Sequence, residues 1–296
     1  MGSILTYNGK ILTSGAKWVE NTQTGLPGYT IRLLYPDGYT PVFARGRAVQ
    51  IMVSPNIWEL TYERSNWVGL LSGYYHRPLL EVLAANTTGV TRMTHLFDEC
   101  WSLRSVALFD TSAVTDMYQM FRGCETLTEV PLFDTGNCTN FEGMFMECES
   151  LTTVPNLDLR KATTLQSMFS DCESLVSIPS LQFSNVTTNV YGMFYACTSL
   201  TTLPYLYLSK VTTMAYLCYG CSSLQSIPSL NPTKVTNANH AFEDCINVAS
   251  GSYTLYSRLA GQTTPPSTHY DTFKNCGTNT VSGAAELARI PSDWKE

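Results

Sequence analysis

One phrase, written five times at a near-constant interval, limits what this chain can fold into. Met120-Phe121-Arg122-Gly123-Cys124-Glu125-Thr126-Leu127-Thr128-Glu129-Val130-Pro131 is followed 24 residues later by Met144-Phe145-Met146-Glu147-Cys148-Glu149-Ser150-Leu151-Thr152-Thr153-Val154-Pro155. It returns over 168–179 and 193–204, and in worn form over 217–228. Eight cysteines mark the period: Cys100, Cys124, Cys148, Cys172, Cys197, Cys221, Cys245 and Cys276, in steps of 24 or 25 and a last step of 31. Self-similarity at such a period means stacked units, because one unit cannot cover its own apolar residues and its neighbours must.

Within each unit the apolar positions repeat. Leucine stands three after the cysteine (Leu103, Leu127, Leu151, Leu175, Leu200, Leu224), a branched residue six after (Val106, Val130, Val154, Ile178, Leu203, Ile227), then proline from Pro131 to Pro228. Phe or Leu follows nine after the cysteine, ending with Leu181, Leu206 and Leu230, and a Val-Thr pair opens the return (Val114-Thr115, Val186-Thr187, Val211-Thr212, Val235-Thr236). Met117, Leu165 and Met214 precede the next unit's methionine or leucine by three residues, the spacing of a helical turn. The pattern predicts an α/β repeat: a solenoid of coils of about 24 residues, each with a short strand, a proline corner and a helical turn. Seven or eight coils about 4.8 Å apart give a rod about 35–40 Å long.

The flanks differ. Residues 1–63 read as a small β module. Segments 3–7 and 10–13 make a hairpin around Asn8-Gly9, and Gly25-Leu26-Pro27-Gly28 is a loop. Segments 29–35 and 39–43 pair across Pro36-Asp37-Gly38, and 48–54 and 57–62 are strands. Ser65 is placed to cap a helix over 66–74, with Trp67, Leu70 and Leu71 at helical spacing. Leu79, Val82, Val90 and Met93 keep the repeat register, with His76 in the cysteine place, so the repeat domain is set at 64–248. Residues 249–268 are a Ser-, Tyr-, Gly- and Thr-rich insertion. The C-terminal cap within 249–296 ends in a helix over 284–289, capped by Ser282 and stopped by Pro291, with Trp294 covering the last coil.

Net charge is −6 and only 14% of residues are charged, so neither nucleic acid nor an anionic membrane is an expected partner. No stretch is apolar enough to span a bilayer, and the N-terminal residues have no basic start, apolar core or small-residue cleavage site. A column of identical cysteines at strand spacing suits a buried file of free thiols better than bridges.

No catalytic constellation emerges, and the chain is expected to have no enzymatic activity, cofactor or metal. Cys218-Tyr219-Gly220-Cys221 fits a metal or redox spacing, yet Cys218 stands in a phenylalanine column and Cys221 in the cysteine column, so packing explains both. Asp110, Asp134 and Asp158 are placed to cap their own turns, and Glu125, Glu149 and Glu173 to line a solvated face; calcium relieving the repulsion along these columns is the alternative. His76, His95, His240 and His269 have no ligand spacing. Tyr205 and Tyr207 interrupt their columns, and Tyr253 and Tyr256 sit in the insertion. Aromatics that break a repeat are candidate partner-binding residues.

The phrase Met-Phe-x-x-Cys-x-Ser-Leu-Thr-x-Val-Pro, preceded by Val-Thr-x-Met, resembles the BspA-like class of leucine-rich repeats over residues 70–248 and more loosely to 296. That resemblance implies adhesion, binding host surface protein or glycan through the solenoid. Such repeats occur in bacterial surface proteins and in phage structural proteins. With no export signal recognised, the expected setting is a bacteriophage virion: a fibre, decoration or tail-associated subunit, docked to other virion proteins through the N-terminal module and homo-oligomeric. A bacterial cell-surface adhesin is the alternative.

Overall fold

In every row from Cys100 to Cys276, the residues five and one before the cysteine have a positive φ. Five before, φ runs from 50° at Gln119 to 59° at Gly143; one before, from 53° at Ala196 to 70° at Gly220. Two left-handed residues four apart forbid an α-helix. The phrase therefore folds as consecutive turns, closed by bonds such as Leu96 N to Met93 O and Cys100 N to Phe97 O. Alternate N–H groups point the other way. Those of Met93, His95, Phe97 and Glu99 donate to the carbonyls of Asp116, Tyr118, Met120 and Arg122 at 2.7–3.0 Å. The next rows repeat this, so turn lies on turn.

This computed structural model describes residues 5–7, 10–12, 18–20, 29–41, 48–54, 56–62, 67–73, 76–179 and 189–296. The expected turns at Asn8-Gly9 and 25–28, the Ser65 cap, residues 42–43, Leu181 and Val186-Thr187 lie outside them.

The expected α/β class, a leucine-rich-repeat solenoid with a strand and a helical turn in each coil, is overturned. Among the described residues the regular structure is a three-stranded sheet, a five-stranded sheet, two short α-helices and a 3-10 turn at Ser292–Trp294. Among the described residues of 87–250, Ser105–Val106 is the sole strand and there is no α-helix. The rows otherwise meet through bridges one residue wide, running Arg92, Asp116, Asn140, Thr164, Asn189, Thr213, Asn237, Thr268. The reason is local. Left-handed residues end any helical turn after three residues, and the proline seven after the cysteine has no N–H for a ladder.

The three-stranded sheet is antiparallel, β1 (Leu5–Tyr7), β2 (Lys10–Leu12) and β3 (Trp18–Glu20). The larger has the order β5-β6-β4-β7-β8, with β4 (Tyr29–Leu34), β5 (Ala48–Ser54), β6 (Ile57–Tyr62), β7 (Glu81–Asn86) and β8 (Ser105–Val106). β4 pairs with β6 and β7, not with a strand at 39–43; the described residues 39–41 are not in a strand. β7 to β8 is the parallel step into the rows, so the sheet runs across the expected boundary at 63/64.

Residues 67–73 are not a helix. Trp67, Gly69, Leu71 and Gly73 donate N–H to Arg92, Thr94, Leu96 and Asp98, and Gly69 and Gly73 have φ of 60° and 83°. This is the first row of turns. At the other end the insertion holds a helix, α1 (Ser252–Ala260), with Leu255 and Leu259 buried. Helix α2 (Val281–Ala288) starts three residues early because Thr280 caps it, accepting from Gly283 N at 3.0 Å. Trp294 is buried and stacks on His269 (4.2 Å) and Phe273 (6.3 Å).

One apolar cluster runs from Ile31 to Trp294. Inside it the rings of Phe121, Phe145, Phe169 and Phe194 stack at 5.7 Å, within 7° of parallel. All ten cysteines are free and buried. Cys124, Cys148, Cys172, Cys197 and Cys221 each donate Sγ–H to the phenylalanine carbonyl of the row before, at 3.0–3.2 Å. The column needs a small side chain that packs as a hydrophobe and still offers a weak donor, which describes a thiol. Asp110, Asp134 and Asp158 each accept the N–H two residues on, at 2.9–3.0 Å.

Candidate binding face

The turns of the phrase put the residues six, five, two and one before each cysteine on one face of the rows. That face changes character along its length.

At the Cys100 and Cys124 rows it is charged and internally paired. Arg122 bonds Asp98 at 2.7 Å and Glu99 at 3.2 Å, Arg77 bonds Glu99 at 3.0 Å, and His95 bonds Asp98 at 3.0 Å. The Arg77 guanidinium also lies 3.5 Å over the Trp101 ring.

From the Cys197 row onward the same positions carry rings. Tyr195 and Tyr219 stack at 4.9 Å, 7° from parallel, and Tyr216 and His240 at 4.6 Å. Tyr191 lies 5.4 Å from Tyr216, and Tyr195 lies 6.2 Å from it. Tyr191 is 40% exposed and Tyr270, in the last row, 61%. The Tyr216 and Tyr219 phenols are pushed up, first by desolvation and then by neighbouring phenols and carboxylates, so both remain protonated donors at neutral pH.

His240 Nδ1 lies 2.5 Å from Glu243 and 3.7 Å from Asp271. Among the described residues this is the group whose spacing could hold a metal ion, its ligand atoms all within 4.8 Å. Lys274 Nζ already bonds Glu243 at 2.9 Å and Asp271 at 3.3 Å. An ammonium thus fills the place of a cation, and the cluster acts as an ion-pair network.

The four tyrosines singled out in the sequence fall in two places. Tyr205 and Tyr207 are 41% and 52% exposed and touch edge to face at 4.8 Å. Tyr253 and Tyr256 belong to α1 and pack inward. Arg289 lies 3.5 Å over Tyr253, and Tyr256 meets the Trp294 edge at 5.4 Å. They help seat the helix. The cluster around Tyr216 was missed by sequence reasoning. Its signal was present: aromatics enter the columns six, five and two before the cysteine only in part of the array. Cys218 and Cys221 are both fully buried, and burial pushes the Cys218 thiol up, which suits packing.

Residues 80–180 and 151–254 match the family model described as Mycoplasma protein of unknown function, DUF285, and together span more than half of the chain. The chain belongs to the DUF285 family. No curated protein and no solved structure matches it. The DUF285 matches begin just before β7 and end inside α1, so they take in the rows from Cys100 to Cys245, with Tyr191, Tyr195, Tyr216 and Tyr219. Among the described residues of this DUF285 chain, no helix is long and apolar enough to cross a membrane.

Proposed function

We propose that this DUF285 chain is a non-enzymatic adhesive protein that binds through the ring-bearing face, in keeping with the resemblance of its phrase to BspA-like repeats. One observation carries the reading. Exposed and half-exposed rings lie side by side on a deeply packed support, beside Glu243 and Asp271, which pair with Lys274. Such a surface offers contact area without large desolvation or ordering costs. The proposed setting is a bacteriophage virion, as a homo-oligomeric fibre, decoration or tail-associated subunit docked to other virion proteins through residues 1–63. The alternative is a bacterial cell-surface adhesin.

Two measurements test this. Fluorescently labelled protein should bind intact bacterial or host cells, and Tyr195→Ala with Tyr219→Ala should abolish binding while melting remains cooperative. Binding indifferent to those rings would overturn the assignment of the face. Mass spectrometry should find the chain in purified phage particles; its presence only in envelope fractions would favour the adhesin.

A further inference from the structure

We infer that the ring-bearing face takes a basic segment of a partner protein, an extended stretch whose arginines lie on the tyrosine rings and pair with the carboxylates beside them. This rests on that face being the contact surface and goes on to name the chemistry of its partner.

The first rows show the arrangement complete. In the Cys100 row the residue before the cysteine is Glu99. Arg77 bonds it at 3.0 Å and Arg122 at 3.2 Å, and the Arg77 guanidinium lies 3.5 Å over the Trp101 ring. A carboxylate, a ring face and a guanidinium thus satisfy one another. The same column continues with Glu147, Asp171 and Asp244. Asp171 accepts from Ser170 Oγ at 2.6 Å and Asp244 from Asn275 Nδ2 at 2.8 Å, both uncharged donors. Burial lifts the Glu142 carboxyl, six before Cys148. It lifts that of Glu147 too, with Arg122 opposing and Asp171 adding, and Arg122 is itself bonded to Asp98 and Glu99. From the Cys148 row to the Cys276 row the face holds six carboxylates, Glu142, Glu147, Asp171, Glu243, Asp244 and Asp271, against the single ammonium of Lys274.

The rings stand inside this field. Asp171 N donates to Tyr195 O, Ala196 N to Tyr219 O and Gly220 N to Glu243 O, at 2.7–2.9 Å. The rows therefore run from Asp171 through Tyr195 and Tyr219 to Glu243 and Asp244. Glu243 and Asp244 add to desolvation in raising the Tyr219 phenol. An acidic ligand is repelled here. A neutral one strips water from Asp171 and Asp244 and returns no counter-charge. Arginine stacks on a tyrosine and forks onto a carboxylate, a planar geometry that lysine lacks. Asp171 and Asp244 are three rows apart, about 14 Å at strand spacing. An extended chain covers that in about four residues, and residues four apart share one side of a strand. The matching segment carries arginine at every fourth position.

The test is fluorescence anisotropy of the full chain with labelled glycine–serine peptides carrying arginine, lysine or glutamate at every fourth position. The arginine peptide should bind, more tightly than the lysine peptide and less tightly as salt rises, and the glutamate peptide should not bind. Asp171→Asn with Asp244→Asn keeps the side-chain shape and suits the left-handed backbone of both positions, φ 60° and 59°. That pair should weaken the arginine peptide about tenfold or more. Tyr195→Ala should weaken it about fivefold or more, and Tyr195→Phe should retain most of it. Glu129→Gln removes an exposed carboxylate off this face and should change nothing, which separates the face from net charge. Melting temperatures should show that each variant folds. No binding of the arginine peptide, equal binding of the lysine or glutamate peptide, unchanged binding by the double asparagine variant, or an equal loss in Glu129→Gln would each overturn the inference. If cells bind through the rings and the arginine peptide does not compete, the partner chemistry falls and the adhesive reading stands. If the peptide binds as expected and no cell does, the adhesive reading falls and the partner chemistry stands.

Discussion

Tyr35 Oη lies 2.8 Å from His76 Nδ1, a buried bond between the end of β4 and the residues that follow the first row of turns. It joins the sheet to the stack. Burial pulls the His76 imidazole down to about 4 and pushes the Tyr35 phenol up.

The sign of the pH dependence follows. The folded pKa of His76 lies below its unfolded value near 6.5, so the unfolded chain takes the proton first. Stability from a neutral His76 is complete above about 6.5 and is lost as pH falls towards about 4. The slope is at most about 1.4 kcal/mol per pH unit for this one group. Urea unfolding of wild type and His76→Gln between pH 7.5 and 4.5 isolates it from the carboxylates. The gap between the two midpoints should be constant above about 6.5 and change steadily below it. A gap constant across the whole window would mean that His76 is not neutral in the fold.

Native thiols should be silent. All ten are buried and free, and desolvation holds Cys138 and Cys276 up at about 12. The thiolate is the reactive form. A thiol reagent at pH 8 should therefore label none of them in native protein and all ten after denaturation. One fast-reacting cysteine would show that its row opens. In the same column, Cys148→Ala removes the Sγ bond to the Phe121 carbonyl and leaves a small void, a loss of about 1–2 kcal/mol.

How far the chain could be read without coordinates depends on what a side-chain pattern records. The buried files were legible: Cys124, Cys148 and Cys172 are fully buried, and the Asp110 and Asp134 turns form as their spacing suggests. Backbone sign was not legible. The left-handed positions hold Gln119, Ser167 and Tyr216 as well as glycines, because hydrogen bonds to the next row fix the conformation and the residue type need not. A methionine spacing of three therefore reads as a helical turn where the backbone forms none. Helix α1 hid for the opposite reason. Ser252, Tyr253 and Thr254 are weak helix formers, and the packing of Leu255 and Leu259 on the last rows makes the helix. The ring face was present as Tyr195, Tyr216 and Tyr219, but which columns share a face depends on those left-handed turns.

The ring file should be the most sensitive part of the core. Phe145 stacks on Phe121 and Phe169, both at 5.7 Å, and nothing near it can collapse without moving a row. Phe145→Ala should cost about 3–5 kcal/mol, and Phe145→Leu clearly less, since it restores much of the volume. Denaturant midpoints decide this. A loss below about 1 kcal/mol for the alanine would mean that the rows slide to close the gap.

Gly251 tests how the cap is seated. It precedes α1 with φ of 99°, in a chain segment bonded to the row above through Ile227 N to Ser250 O at 2.9 Å. A Cβ there would lie 2.1 Å from the Ile227 carbonyl oxygen and 3.0 Å from its carbon. That neighbour is backbone inside the stack, so α1 must move instead, taking Leu255 and Leu259 from the core. Gly38 is the control, also left-handed at 74° but with nothing within 4 Å. Gly38→Ala should cost about 1 kcal/mol in backbone strain alone. Gly251→Ala should cost about 3 kcal/mol or more, and limited proteolysis should then cut within 252–268 before the rows unfold. Equal melting temperatures for the two variants would show that the helix does not sit against Ile227 and that the rows end in some other way.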